Sequence, residues 1–315
     1  MTTSFAFVFP GQGSQSLNMM AGFPDSAEVK ATFAEASSVL GFDLWQMLLD
    51  GPEDVLNQTV NTQPLMLAAG VATYRVWQAL GGPVPALLAG HSLGEYSALV
   101  AADSLAFSDA VALVRFRAEA MQNAVAAGEG AMAAILGLDG EPLQQACAEA
   151  AQGQVLSPVN FNSPGQVVIA GHRAAVERGI EACKAKGAKR VLLLPVSVPS
   201  HCALMQPAAE QLQQRLQQVS IRAPQIPVLH NADVNSYNDP EQIRDALVRQ
   251  LYSPVRWVET VQQMATTGIQ IVAECGPGKV LAGLGKRISS DVRSPALVDM
   301  AALTLLRDEL KGAVA

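Results

Sequence analysis

Ala86-Leu87-Leu88-Ala89, running straight into Gly90-His91-Ser92-Leu93-Gly94, is the stretch that decides the fold. The compact apolar run predicts a buried strand, and residues 95–102 beyond it read as a helix. Strand, tight turn, helix is the grammar of a parallel α/β sheet. The turn itself fits G-x-S-x-G, the nucleophile elbow. Its glycines allow a sharp reversal that lifts the Ser92 hydroxyl out at the C-terminal edge of the sheet. The amide after the serine then lies at a helix N-terminus, where it can stabilise an oxyanion. A plain βα turn with a capping serine is the alternative, and the strand before and helix after favour the nucleophile.

The same alternation extends in both directions. Phe5-Ala6-Phe7-Val8-Phe9, closed by Pro10-Gly11, suits a second buried strand. A helix is expected after Pro64, over residues 65–80, ended by Gly81-Gly82. The middle of the chain changes pattern. Strands at 131–138, 155–161, 165–170 and 190–198, with helices at 141–151 and 174–186, give the order βαββαβ of the ferredoxin-like unit. The expected organisation is therefore a large α/β-hydrolase-like domain with a parallel sheet, residues 1–126 and 199–315, carrying a small inserted ferredoxin-like domain, residues 127–198. Beyond the insert, helices are expected at about 204–219, 240–251 and 255–267, with strands at 226–230 and 269–274.

Composition bounds the function. The 315 residues are 50% apolar and 16% charged, a globular profile. A net charge of −7 argues against nucleic acid as a partner. No uninterrupted run of about 18 apolar residues predicts a transmembrane helix, and no basic residue precedes residues 5–9 as a signal peptide would require. The four cysteines, Cys147, Cys183, Cys202 and Cys275, lack CxxC spacing and read as reduced thiols of a cytoplasmic enzyme, forming neither a disulfide frame nor a metal site. Gly276-Pro277-Gly278-Lys279 lacks the spacing of a phosphate-binding loop.

A serine nucleophile needs a base, and the chain offers four histidines. His91 adjoins Ser92, so its side chain is expected to point away from the hydroxyl. His172 and His230 end strands and read as structural or exposed. His201 follows Pro199-Ser200 where the insert returns the chain to the large domain, and crevices between domains favour ligand sites. A satisfied loop histidine is the alternative there. No acid between Ser92 and His201 follows a strand of the main sheet, so a dyad or an orienting backbone carbonyl is expected in place of a triad.

Arg117 bears on the substrate. Residues 108–123 read as a helix capped by Ser108, with an apolar face of Ala110, Leu113, Val114, Ala120 and Met121. Arg117 falls in the middle of that face, and an inward guanidinium needs a partner. A core salt bridge and a fork for a substrate carboxylate are both open on this pattern.

Taken together, the motifs resemble the malonyl-CoA:acyl-carrier-protein transacylase family along nearly the whole chain. The matching residues are Phe9-Pro10-Gly11-Gln12-Gly13-Ser14-Gln15, Thr62-Gln63-Pro64, Gly90-His91-Ser92-Leu93-Gly94-Glu95-Tyr96, Arg117, Asn160-Phe161-Asn162-Ser163-Pro164, Val198-Pro199-Ser200-His201 and Glu274-Cys275-Gly276-Pro277-Gly278. The resemblance implies that Ser92 is the nucleophile, His201 the general base and Arg117 the partner of the malonyl carboxylate. It implies an oxyanion hole from the amides of Gln12 and Leu93, an acyl pocket lined by Gln63 and Met121, and a Gln250 carbonyl orienting the histidine. It further implies malonyl-CoA and acyl carrier protein as partners, with no metal or redox cofactor. One departure stands out. Some malonyl-selective relatives have phenylalanine where this chain has Ser200, and serine occurs in relatives using branched acyl groups, so the position leaves acyl choice open. Lys279, Lys286 and Arg287, or Lys184, Lys186, Lys189 and Arg190, are candidate patches for an acidic carrier protein. Two other functions remain in view, a serine esterase or thioesterase and a non-catalytic carrier-binding scaffold.

Overall fold

The computed structural model describes residues 3–196 and 198–312. Its strands are β1 (Phe5–Phe9), β2 (Leu87–Gly90), β3 (Gly130–Leu136), β4 (Leu156–Ser163), β5 (Gln166–His172), β6 (Arg190–Leu193), β7 (Val228–Leu229) and β8 (Ile271–Glu274). They form two four-stranded sheets, ordered β7-β2-β1-β8 and β4-β5-β3-β6. The first is parallel throughout and the second antiparallel throughout. The fold is thus α/β, with a parallel sheet and a separate small sheet in the ferredoxin-like strand order.

Burial on both faces explains why β1 reads as a continuous apolar run. Phe5, Phe7 and Phe9 pack with Tyr74 and Trp77 in edge-to-face contacts, while Ala6 and Val8 turn towards Trp257 and Val261. In the small sheet, Ala131, Ala133 and Ile135 pack under helices Gly140–Ala151 and Arg173–Ala185. Met132 on the opposite face joins a cluster with Val159, Val168 and Cys202, which carries that sheet to the residue beside His201.

Several elements differ from the sequence expectation. The helix expected to follow Pro64 runs from Thr59 to Ala79 with Pro64 inside it. Proline cannot donate to the carbonyl four residues back, that of Val60. Arg115 Nη1 donates to that oxygen instead, at 3.2 Å, so the turn survives. The helix expected at 108–123 is Phe107–Asn123, with Ala106 at its N-cap position and no side-chain cap. Phe107 is buried beneath the Arg75 guanidinium at 4.7 Å, which draws the helix start one residue forward and leaves Ser108 inside the first turn. The strand expected over 190–198 ends at Leu193, and the following segment leaves the sheet to line the site described next; Ser197 lies outside the described residues. The same holds for the ends of the expected large domain, residues 1, 2 and 313–315.

Candidate active site

The turn after β2 depends on its glycines for contact, not for dihedral freedom. A Cβ on Gly90 would lie 1.8 Å from the Gly94 carbonyl carbon, and one on Gly94 would lie 2.0 Å from the Phe9 oxygen. Neither glycine has positive φ. The strained residue is Ser92 itself, at φ 51°, a region non-glycine residues seldom occupy. Asn231 holds it there: Ser92 N–H donates to Asn231 Oδ1 at 2.7 Å, and Asn231 Nδ2 donates to the Gly90 carbonyl at 2.7 Å.

His201, also left-handed at φ 66°, is buried. Its Nδ1 lies 2.7 Å from the Gln250 carbonyl oxygen, which can only accept, so the proton sits on Nδ1. Nε2 is therefore the lone-pair nitrogen, 2.8 Å from Ser92 Oγ. Burial first, and then the Arg117 charge, bring the His201 pKa down to about 3 against the opposing pull of the Gln250 carbonyl. A neutral imidazole facing a hydroxyl is the arrangement general-base catalysis needs.

Arg117 is 1% exposed. Nη1 donates to Gln63 Oε1 at 2.8 Å, and Nη2 to Gln250 Oε1 at 2.9 Å and to Ser92 Oγ at 3.3 Å, while Nε has no partner. None of these partners is a carboxylate, so the core salt bridge left open by the sequence is not what holds it. Burial lowers its pKa, and Tyr96 and Glu95 push back. Gln63 Nε2 in turn approaches Met121 Sδ at 3.7 Å.

Ser92, His201, Arg117, Gln12, Leu93, Gln63 and Met121 all line one cavity of about 490 Å³, and Gln250 stands behind it, fully buried. A Cβ on Gly11 would come within 2.4 Å of the His91 carbonyl oxygen, so the Gly11-Gln12 turn lies directly against the elbow. Among the described residues, neither the Gln12 nor the Leu93 amide donates to a backbone acceptor. Two uncommitted donors beside the Ser92 hydroxyl fit an oxyanion.

Of the remaining histidines only His91 also lines the cavity, and none is hydrogen-bonded to Ser92. His91 Nε2 meets Asn162 Oδ1 at 2.8 Å, and its ring tilts against Trp257. His172 Nδ1 accepts from the Val155 amide. His230, buried, donates from Nδ1 to Glu95 Oε1 at 2.7 Å. Glu95, Asn231 and the Gln250 side chain escape sequence reasoning. A lone carboxylate at the head of the uncharged segment Tyr96-Ser97-Ala98-Leu99-Val100 is the one signal that marks Glu95, since a buried charge needs partners. The four cysteines are free and buried, and burial pushes Cys202 up to about 11 and Cys147 up to about 12, so they are poor nucleophiles. Among the described residues no helix is long and apolar enough to cross a membrane.

A strained serine, a neutral imidazole, free amides and a buried cation around one cavity define an enzyme of the serine acyl-transfer class. Residues 6–303 match the acyl transferase domain family. The chain is 58% identical over 302 residues to the malonyl CoA-acyl carrier protein transacylase of Escherichia coli (strain K12), covering 96% of this chain and 98% of that protein. An acyl carrier protein S-malonyltransferase from Vibrio cholerae is similar in structure, with a TM-score of 0.94 at 59% identity, over 96% of this chain and 100% of that one. A malonyl-transacylase solved in complex with a type II PKS acyl-carrier protein gives a TM-score of 0.95 at 55% identity, over 98% of this chain and 100% of that one. The chain belongs to the acyl transferase domain family. These relatives favour neither the hydrolase nor the scaffold alternative.

Proposed function

We propose that this protein moves the malonyl group of malonyl-CoA to the phosphopantetheine thiol of acyl carrier protein through a malonyl-Ser92 intermediate, supplying fatty-acid synthesis. The observation that carries the reading is the Ser92 hydroxyl lying 2.8 Å from His201 Nε2 and 3.3 Å from Arg117 Nη2, a base and a fixed cation on one nucleophile.

His201 Nε2 takes the Ser92 proton as Oγ bonds to the thioester carbon. The tetrahedral oxyanion rests on the Gln12 and Leu93 amides, where removal of one such donor typically costs ~3 kcal/mol. The carbon–sulfur bond then breaks, and the imidazolium returns its proton to the departing coenzyme A thiolate. In the second half, His201 deprotonates the carrier thiol, sulfur attacks the acyl-serine, and Ser92 leaves with the proton. Atoms and charge balance with these groups alone, so the reading invokes no metal or redox cofactor.

Arg117 selects the acyl group by receiving its distal carboxylate, with Gln63 and Met121 shaping the pocket around it. Acetyl has no carboxylate to offer. Residues 127–198 act in this reading as a small inserted domain on the larger one, residues 1–126 and 199–315. The setting is cytoplasmic, where both thiol substrates stay reduced.

Isotope exchange tests the class of reaction. With labelled coenzyme A, malonyl-CoA and no carrier protein, a reversible malonyl-enzyme puts label into malonyl-CoA. Free malonate formed without exchange supports a hydrolase instead.

A further inference from the structure

Glu95 lies in the first turn of the helix Gly94–Ala101, three residues past the nucleophile, and is completely buried. Its carboxylate oxygens accept three N–H donors. Oε1 accepts from His230 Nδ1 at 2.7 Å, and Oε2 accepts from the Asn231 amide at 2.9 Å and from Gln250 Nε2 at 3.0 Å. Gln250 Nε2 also donates to the Ser92 carbonyl at 2.9 Å, and Gln250 Oε1 receives Arg117 Nη2 at 2.9 Å. One amide therefore stands between a buried cation and a buried anion.

The spacing has a chemical consequence. A carboxylate paired directly with Arg117 would occupy the fork that a substrate carboxylate has to fill. A guanidinium buried with no compensating charge would be strongly disfavoured. With Gln250 between them, the charges compensate one another at a distance, while Nε stays unpartnered and Nη2 makes, besides its bond to the neutral Gln250 amide, only a long bond to Ser92. The amide also cannot turn over, because its nitrogen faces two acceptors and its oxygen a donor.

Resting on the reading that Arg117 receives the malonyl carboxylate, we propose that Glu95 is a positioning residue for acyl selection. It fixes the Gln250 amide, and through it holds the Arg117 guanidinium in place and open to an incoming carboxylate.

The test compares kcat/KM for malonyl-CoA and acetyl-CoA in the wild type, Glu95→Gln, Gln250→Met and the double variant. The malonyl-to-acetyl ratio is expected to fall at least tenfold in each single variant, and no further in the double than in Gln250→Met alone. Glu95→Asp keeps the charge but withdraws it from Gln250; it gives the same loss and serves where Glu95→Gln does not fold. A merely structural role lowers both substrates in parallel, so a ratio within twofold of wild type overturns the proposal, as do additive losses in the double variant. A wild type without malonyl preference overturns the reading of Arg117 together with the proposal, which separates that failure from one confined to Glu95.

Discussion

His201 Nδ1 donates to the backbone carbonyl of Gln250 at 2.7 Å, so the imidazole is aligned by a neutral group where a hydrolase triad places a carboxylate. A carbonyl orients the ring and selects its tautomer, but it offers an imidazolium no full counter-charge. Burial first, and then the positive charge of Arg117, hold the ring neutral in the folded state.

That relationship sets the pH behaviour. The folded pKa of about 3 lies below the ordinary value of 6.5, so the base remains competent well into the acid range. Initial rates of Ser92 acylation should show no His201 titration between pH 5 and 8. A limb centred near 6.5 would contradict the assignment. Stability follows the same shift. The unfolded chain takes up a proton below 6.5 that the fold refuses, so stability falls as pH drops from 6.5 towards 3, by roughly 1 kcal/mol per pH unit, and this group removes nothing above 6.5. Denaturant unfolding of His201→Gln should accordingly show a shallower decline between pH 6.5 and 4.5 than the wild type.

Arg117 separates acyl groups if it receives a carboxylate. A charge-assisted bond contributes about 1.5–3 kcal/mol, so Arg117→Ala should lower kcat/KM for malonyl-CoA about 10- to 100-fold more than for acetyl-CoA. Equal losses on the two thioesters would count against the role.

The elbow glycines make a sharper structural forecast. Gly94→Ala forces a methyl group to within 2.0 Å of the Phe9 oxygen, backbone that cannot swing aside. Destabilisation of roughly 3 kcal/mol is expected in denaturant titrations, with loss of acylation. Gly283, in the helix Val280–Ile288, has open space where its Cβ would go. Gly283→Ala should stabilise by about 0.5–1 kcal/mol. Similar stabilities for the two variants would refute the packing account of the elbow.

Carrier docking is the test of the basic patches. Lys184 and Lys186 already pair with Glu181 and Glu149, which leaves Lys189 and Arg190 as the more available half of that cluster. Arg190 begins β6, and the chain beyond that strand reaches the cavity wall at Leu194 and Pro195. Charge reversal there should raise the carrier-protein KM severalfold and leave the malonyl-CoA KM near its original value. Reversal at Lys279, Lys286 and Arg287 provides the comparison. An unchanged carrier KM at both clusters would sink electrostatic docking.

What the sequence made legible was chemistry that is local or that lies on a periodic face. Ser92 stands at fixed offsets from Gly90 and Gly94, and Arg117 interrupts a helical stripe. The ferredoxin-like unit shows in the order of short apolar runs. Contacts made far along the chain stayed hidden. Glu95 meets partners 135, 136 and 155 positions away, and no spacing rule reaches that far. The helix through Pro64 was illegible for the same reason, because the donor that replaces the missing N–H comes from Arg115, on another helix. The site roles of Gln12, Leu93, Gln63, Met121 and Gln250 came from family resemblance; the first four line the cavity that holds Ser92, and Gln250 lies behind it.

Everything proposed for the reaction requires an acyl group to rest on Ser92 between two thiols. Intact mass of the protein mixed with malonyl-CoA alone, followed by peptide mapping, observes that state directly. One malonyl group on the peptide containing Ser92, lost on adding carrier protein with its thiol and absent in Ser92→Ala, is the predicted result. Transfer to the carrier with no adduct on that peptide, or an adduct the carrier thiol does not discharge, would contradict it.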